Sequence, residues 1–312
     1  MHFSVIIPAK NEAANIGRCL DSIANVAWPR DQYEVIVVDN GSSDATVAIA
    51  REKGAQVFIQ PELTISGLRN FGAAHASGEI LAFLDADCAV DRMWLHSASI
   101  YLNESDGVSA FGSPVVVPDG GTWVQYAWFH VRGKPNLVVD VDWLESANLF
   151  VKRKAFSSVS GFNESLITCE DYDLTQRLKE IGRLVSDFRV RAIHYREPAT
   201  VLEFIRKEMW RSKSNYTGLL KRKVDMAEIP SLALPVIYGL LLLAVVSSLF
   251  YSLVATTNYL SLAVTLIFFW QIPMLLMTIK KASKAGMTTM CQLFFLFNAY
   301  FFARSLALIR RG

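Results

Sequence analysis

Apolar positions follow two different rules along this chain. Up to about residue 200, short β-branched runs alternate with polar, small-residue turns and with segments of helical spacing; beyond about residue 230, apolar residues run on almost unbroken. In the first part, residues 3–8 (FSVIIP) predict a strand, and Asn11 stands where it can cap a helix whose apolar stripe is Ala13, Ile16, Cys19, Leu20 and Ile23. Residues 34–39 (EVIVVD) are apolar on both faces, as a parallel strand covered by helices requires. The turn 40–44 (NGSSD) leads into another helix, and residues 55–60 and 79–84 predict the third and fourth strands. This alternation predicts an α/β fold with a doubly wound sheet. Ligands of such sheets bind beyond the carboxyl ends of the strands, so residues 8–12, 39–44 and 85–87 are expected to share one cleft.

The fourth strand ends in the most informative string of the chain, GEILAFLDAD at residues 78–87. If the strand continues through Asp85 and Asp87, both carboxylates project from the same face. Two hard oxygen ligands suit Mg²⁺ or Mn²⁺, and such an ion suits a diphosphate. Turn geometry is the alternative use of these aspartates. No G-x-G-x-x-G follows the first strand and no G-x-x-x-x-G-K-[ST] occurs, which argues against dinucleotide oxidoreductases and P-loop hydrolases.

The strings SVIIPAKNEAANIGRCLDSI, VIVVDNGSSDAT, GLRNFGAAHASGEILAFLDADC, ESANLFVKRKAF, GFNES and EDYDLTQRLKEIG, in this order, resemble family 2 glycosyltransferases of the GT-A fold over about residues 3–195. The resemblance implies transfer of one sugar from a nucleotide diphosphate sugar, UDP-linked by expectation, with inversion at the anomeric carbon. It further implies that Pro8, Ala9, Glu12 and Asp39 hold base and ribose, Arg69 the phosphate side, Asp85 the ribose and Asp87 the metal. His194, in RAIHYR, resembles the histidine that many GT-A enzymes supply as a further metal ligand, although a lone histidine at a strand end also serves structure. The family's E-D motif places the general base at Asp171, with Glu170 beside it.

The chemistry of the acid run 170–173 fits that role. Carboxylates opening a helix interact favourably with its dipole, but three acids within four residues exceed what one cap needs. A like charge raises a carboxyl pKa towards the range useful for proton abstraction and a cation lowers it; the sequence leaves open which wins. Leu174, Leu178 and Ile181 form the apolar stripe of this helix, and Asp173 with Arg177 is a structural i,i+4 pair. Processive relatives carry Q-x-x-R-W after the E-D region, whereas this chain has Glu208-Met-Trp-Arg211, which favours a single transfer over a processive polysaccharide synthase. A non-catalytic sugar-nucleotide sensor or scaffold is the other alternative, and the Asp85, Asp87 and Asp171 set argues against it.

Residues 231–255 and 260–279 carry no charge and are long enough to cross about 30 Å of hydrocarbon. The expected domains are a catalytic domain over 1–200, a basic amphipathic segment over 201–228 with its apolar stripe at Leu202, Ile205, Met209, Tyr216 and Leu220, and a membrane domain over 229–312. Arg206, Lys207, Arg211, Lys213, Lys221, Arg222 and Lys223 precede the first span and Lys280, Lys281 and Lys284 follow the second. Both flanks, and with them the catalytic domain, are therefore expected on the cytoplasmic side of the inner membrane. Met1-His2 leads straight into the first strand, so no cleavable signal peptide is expected. Four cysteines without C-x-x-C spacing fit a reducing compartment.

A third apolar segment, 290–309, is harder to place. If it spans, Arg310 and Arg311 oppose the positive-inside tendency and Arg304 lies within the membrane or snorkels to its edge. If it is re-entrant or lies in the interface, they stay in the cytoplasm, and the expectation is two spans with a third, membrane-embedded helix. The aromatic string 123–130 fits headgroup depth or core equally. The expected partners are a nucleotide-sugar donor, a lipid or polyprenyl-linked acceptor and the membrane. Nucleic acid is not expected, and a homo-oligomer is left open.

Overall fold

The computed structural model describes residues 2–103, 107–132, 138–166, 168–219, 229–254, 259–282 and 285–309. Two compact units divide the chain: Met1–Asp119 with Arg132–Glu197, and Gly120–Val131 with Pro198–Gly312.

The first unit is built on strands β1 (Phe3–Ala9), β2 (Tyr33–Asp39), β3 (Gln56–Ile59), β4 (Ile80–Leu84), β5 (Cys88–Val90), β6 (Val108–Gly112), β7 (Val138–Asp140), β8 (Asn148–Lys152), β9 (Arg183–Asp187) and β10 (Ala192–His194). Eight of them form one sheet in the order β3-β2-β1-β4-β8-β6-β9-β7, and β5 pairs with β10 separately. β1 to β4 are parallel, whereas β8 runs antiparallel to both β4 and β6, so the sheet is mixed beyond β4. The chain moves outward from β1 to β3 and then returns to place β4 on the other side of β1. That reversal opens a crevice at the carboxyl ends of β1 and β4.

Every residue of β1 and β4 is buried, which accounts for the lack of polar alternation in their sequences. One face packs on α1 (Ile16–Ala24) and α4 (Trp94–Ala98) through Ile16, Cys19, Leu20, Ile23, Trp94 and Leu95. The other face carries α3 (Ile65–His75), α6 (Arg153–Ser158) and α7 (Glu170–Lys179), with Leu68, Phe156, Leu174 and Leu178 in that core. A short α2 (Thr46–Glu52) follows β2. α3 lies so close to β1 that a Cβ on Gly72 would come within 2.5 Å of Ile6 Cγ2, and this tight seat fixes the neighbouring Arg69.

Several local expectations are corrected. Asn11 does not cap α1: its backbone is left-handed at φ 53°, its side chain accepts from the Ser43 amide, and the helix begins only at Ile16, leaving Ala13 outside it. β4 stops at Leu84, so Asp85 and Asp87 occupy a turn and owe their placement to that turn rather than to strand pleating. α7 ends at Lys179, and Ile181, beyond it, is exposed.

The second unit comprises α5 (Trp123–Arg132), α8 (Val201–Leu219), α9 (Ile229–Val254), α10 (Leu260–Ala282) and α11 (Met287–Ile309). Three stretches, Leu232–Val254, Leu260–Ala282 and Met287–Leu308, are long and apolar enough to cross a membrane. The aromatic string of α5 contributes to the core of this unit, where Trp128 packs on Phe204 and Tyr300 while Trp123 stays half exposed against Phe295. The predicted stripe of α8 is corrected as well: Leu202 is exposed, and the buried positions are Phe204, Glu208 and Ser212. The side chain of Tyr216 and residues Leu220, Lys221, Arg222, Lys223, Lys284, Arg310 and Arg311 lie outside what the structure describes.

Candidate active site

Three chain segments meet at the carboxyl ends of β1, β2 and β4. The loop after β1 and the loop after β2 are laced together: the Asn11 amide donates to Ser42 Oγ, the Glu12 amide to Thr46 Oγ1 and the Ala13 amide to Asp44. Pro8 and Ala9 are buried at the end of β1, and the Asn40 amide donates to the Ala9 carbonyl. Asp39 is buried and accepts from both the amide and the hydroxyl of Ser42. Glu12 accepts from Asn15 at 2.8 Å and pairs with Arg196.

The turn after β4 supplies the second cluster. Arg69, projected from α3 and only 3% exposed, donates from Nη2 to Asp85 at 3.0 Å and from Nη1 to Glu170 at 2.8 Å. Its guanidinium, held above the Phe162 ring, thus ties the β4 turn to the start of α7. α7 begins abruptly because Cys169 adopts a left-handed φ of 64°, which turns Glu170 and Asp171 into the first helical turn. Burial, reinforced by the charge of Glu170, pushes the Asp171 carboxyl up to about 7, against the opposing pull of its own hydrogen bond from Tyr172 and of Arg69. The site therefore holds one carboxyl, that of Asp171, half protonated near neutrality. Asp173 takes no part and pairs with Arg177 at 2.6 Å.

Asp87 and His194 form the third cluster. β5 and β10 pair so that His194 lies opposite Cys88, which brings His194 Nε2 to 3.2 Å from Asp87 Oδ1. His194 Nδ1 faces the i,i+3 neighbour Glu197 at 3.8 Å, while Nε2 points towards Asp87. Asp87, Cys88 and His194 place a carboxylate oxygen, a thiol and an imidazole nitrogen within 4.8 Å of one another. Burial, with the charges of Asp85 and Asp87 behind it, drives the Cys88 thiol well above its ordinary pKa. The carboxylate oxygen of Asp87 and the imidazole nitrogen of His194 suit a divalent cation.

Sequence reasoning did not single out Glu197, Arg196, or the Arg18 guanidinium stacked 4.0 Å over Tyr195. Glu197 carried a usable signal, its spacing of three from His194. The others become visible only when the segment after β10 is seen lying along the β1 loop.

The mixed α/β sheet with carboxylates gathered at its switch point has solved structural neighbours of the GT-A glycosyltransferase fold. The chain belongs to glycosyl transferase family 2, whose profile matches residues 4–159. Glycosyltransferase AglE of Haloferax volcanii is 32% identical over 248 residues, which cover 76% of this chain and 81% of that protein. Beta-monoglucosyldiacylglycerol synthase of Trichormus variabilis is 31% identical over 192 residues, 56% of this chain but only 40% of that protein. Among solved structures, the mannosyltransferase PcManGT from Pyrobaculum calidifontis, in complex with GDP-Man and Mn²⁺, superposes with a TM-score of 0.60 at 18% identity, covering 99% of this chain and 86% of that one, a likeness of fold. The three apolar helices of the second unit are consistent with membrane anchoring.

Proposed function

We propose that this glycosyltransferase moves a single sugar from a nucleotide diphosphate sugar to a lipid-borne acceptor, with inversion, at the cytoplasmic face of the membrane. The observation that carries the reading is Asp171: a buried carboxyl raised to about 7, at the start of a helix, beside a carboxylate that Arg69 holds in place. A base poised near the working pH combines the ionised form with driving force for proton transfer. In this reading Asp171 takes the proton of the attacking acceptor hydroxyl. Glu170 and Arg69 orient Asp171 and Asp85, and the loops carrying Pro8, Ala9, Glu12 and Asp39 hold base and ribose.

Asp87 and His194 would hold Mg²⁺ or Mn²⁺. When bound there, such an ion stabilises the negative charge that develops on the departing diphosphate. Asp87 alone would repel the diphosphate, so the donor side of the cleft needs a compensating cation. A lipid-borne acceptor is supported by the apolar helices of the second unit and by the diacylglycerol named in one relative. A polyprenyl phosphate or polyprenyl-linked glycan is the favoured class, with a glycerolipid next.

The test is transfer by the purified full-length chain from a panel of nucleotide sugars to extracted membrane lipids, with anomeric configuration read by NMR. Product with the donor's own anomeric configuration, or efficient transfer only to soluble sugars, would remove this reading.

A further inference from the structure

We infer that α11, although long and apolar enough to span, does not cross the membrane: both of its ends lie on the side where α9 begins and α10 ends. The α9–α10 hairpin supplies the ruler. Its far end is closed by the Ser248 hydroxyl, which donates to the Tyr259 carbonyl at 2.9 Å, and by the Tyr251 ring against Tyr259. Its near end carries Ile229 and, on α10, Lys280, Lys281 and Ala282.

α11 starts at this near end. The Ala285 amide donates to the Ala282 carbonyl, and the helix begins at Met287. Ser305 is then about 27 Å further along the helix, at 1.5 Å per residue. A helix rising beside α9 from the near end would bring Ser305 to a similar height, close to the far end of the hairpin. Instead, Ser305 Oγ lies 2.5 Å from the Pro235 carbonyl oxygen, and Ser305 Cβ is 3.2 Å from the position a Cβ on Gly239 would take. Phe301 stacks on Tyr238, and Asn298 accepts from the Tyr238 hydroxyl. These contacts sit within about 15 Å of the start of α9, so α11 crosses α9 steeply and gains roughly half the height that its length allows. Even its last turn falls short of a hydrocarbon layer about 30 Å thick.

The charges agree. Arg304 Nη2 lies 3.7 Å from Glu208 of α8, and Arg211 Nη1 lies 2.9 Å from the same carboxylate. The end of α11 is therefore level with the part of α8 that bears Arg206, Lys207, Glu208 and Arg211. Basic groups are strongly disfavoured at mid-bilayer, which places this layer at the interface. Trp123, half exposed against Phe295 of α11, adds the kind of aromatic that headgroup regions favour. α11 is thus an oblique helix sunk into one leaflet beside α5 and α8, its partner the lipid of that leaflet. The chain crosses twice, and the conflict that Arg310 and Arg311 pose for a third crossing disappears.

The test uses the full-length chain with one epitope tag before Met1 and another after Gly312, reconstituted in sealed vesicles. Vesicles are sorted by whether the first tag is lost to added protease. The expected result is that both tags are lost together from one population and retained together in the other. Loss of one with retention of the other in the same population would mean that α11 crosses, and would overturn the inference. Because the readout is orientation alone, it stands apart from any failure of the lipid-acceptor reading.

Discussion

Arg69 and Glu170, 101 positions apart in sequence, meet at 2.8 Å through Nη1 and Oε1, with the guanidinium almost wholly buried. One side chain from α3 thereby decides where α7 presents its acids. Replacing it with Met would leave Glu170 and Asp85 facing each other without their shared cation. Arg69→Met is expected to lower stability by about 3 kcal/mol, the scale for breaking a buried pair, as read from urea midpoints. It also removes a pull that lowers the Asp171 pKa, so the rise of activity with pH should move to higher pH. Arg69→Lys, which keeps the charge, should show a smaller move; equal profiles in all three proteins would separate Arg69 from Asp171.

If Asp87 and His194 hold a divalent cation as proposed, donor binding should be metal-dependent. Asp87→Ala should abolish transfer, and His194→Ala should raise the metal concentration needed for half-activity by roughly tenfold or more. Isothermal titration of EDTA-treated protein with a nucleoside diphosphate, with and without Mn²⁺, measures this. Full turnover after EDTA treatment would refute it.

Asp171→Asn should bind nucleotide and metal normally yet lose about 10²-fold or more in turnover, the usual scale for removing a general base. The wild-type rate should climb with pH through about 7 as Asp171 ionises. Stability follows the opposite sign. The folded carboxyl is raised above its ordinary value, so between about pH 4 and 7 the folded protein keeps a proton that the unfolded chain releases, and stability falls as pH rises across that window. Asp171→Asn removes that penalty, and its melting temperature at pH 8 is expected to exceed the wild type's. A variant less stable than wild type at pH 8 and unchanged in rate would count against both the raised pKa and the role.

Reversing Arg206 and Lys207 of α8 to Glu should weaken use of a lipid acceptor in anionic vesicles while leaving donor hydrolysis within about twofold, since basic side chains near such a surface contribute about 1 kcal/mol each. Raising the salt concentration should weaken the wild type in the same way. An unchanged vesicle rate for the reversed protein would assign these residues no part in the lipid encounter.

The parallel half of the sheet was legible because strands covered on both faces are predominantly apolar: β4 is so throughout, and β1 and β2 depart from it only at Ser4, Glu34 and Asp39. The antiparallel insertion of β8 between β4 and β6 was not, since no local signal sets the direction of a strand whose partners lie far away in sequence. Asp85, Asp87, Glu170 and Asp171 stood out as acids at element ends. That Arg69 would bind two of them was invisible, because a residue inside a helix of small residues gives no sign of what its far end touches. The stripe of α8 misled for a related reason: its buried face includes Glu208, which satisfies its charge on Arg211 and Arg304, and apolar periodicity cannot register a buried acid.

α5 is encoded between β6 and β7 yet packs with helices made much later. As the chain leaves the ribosome, Val124, Ala127 and Trp128 emerge well before Phe204 and longer still before Phe297 and Tyr300, their neighbours in the finished core. The nascent protein must therefore carry an uncovered apolar patch through most of its synthesis, a state prone to aggregation. A protein shortened after Ala199 would stay in that state permanently. The membrane part is thus not a detachable tail, and a soluble version of this enzyme would need α5 redesigned together with the cut.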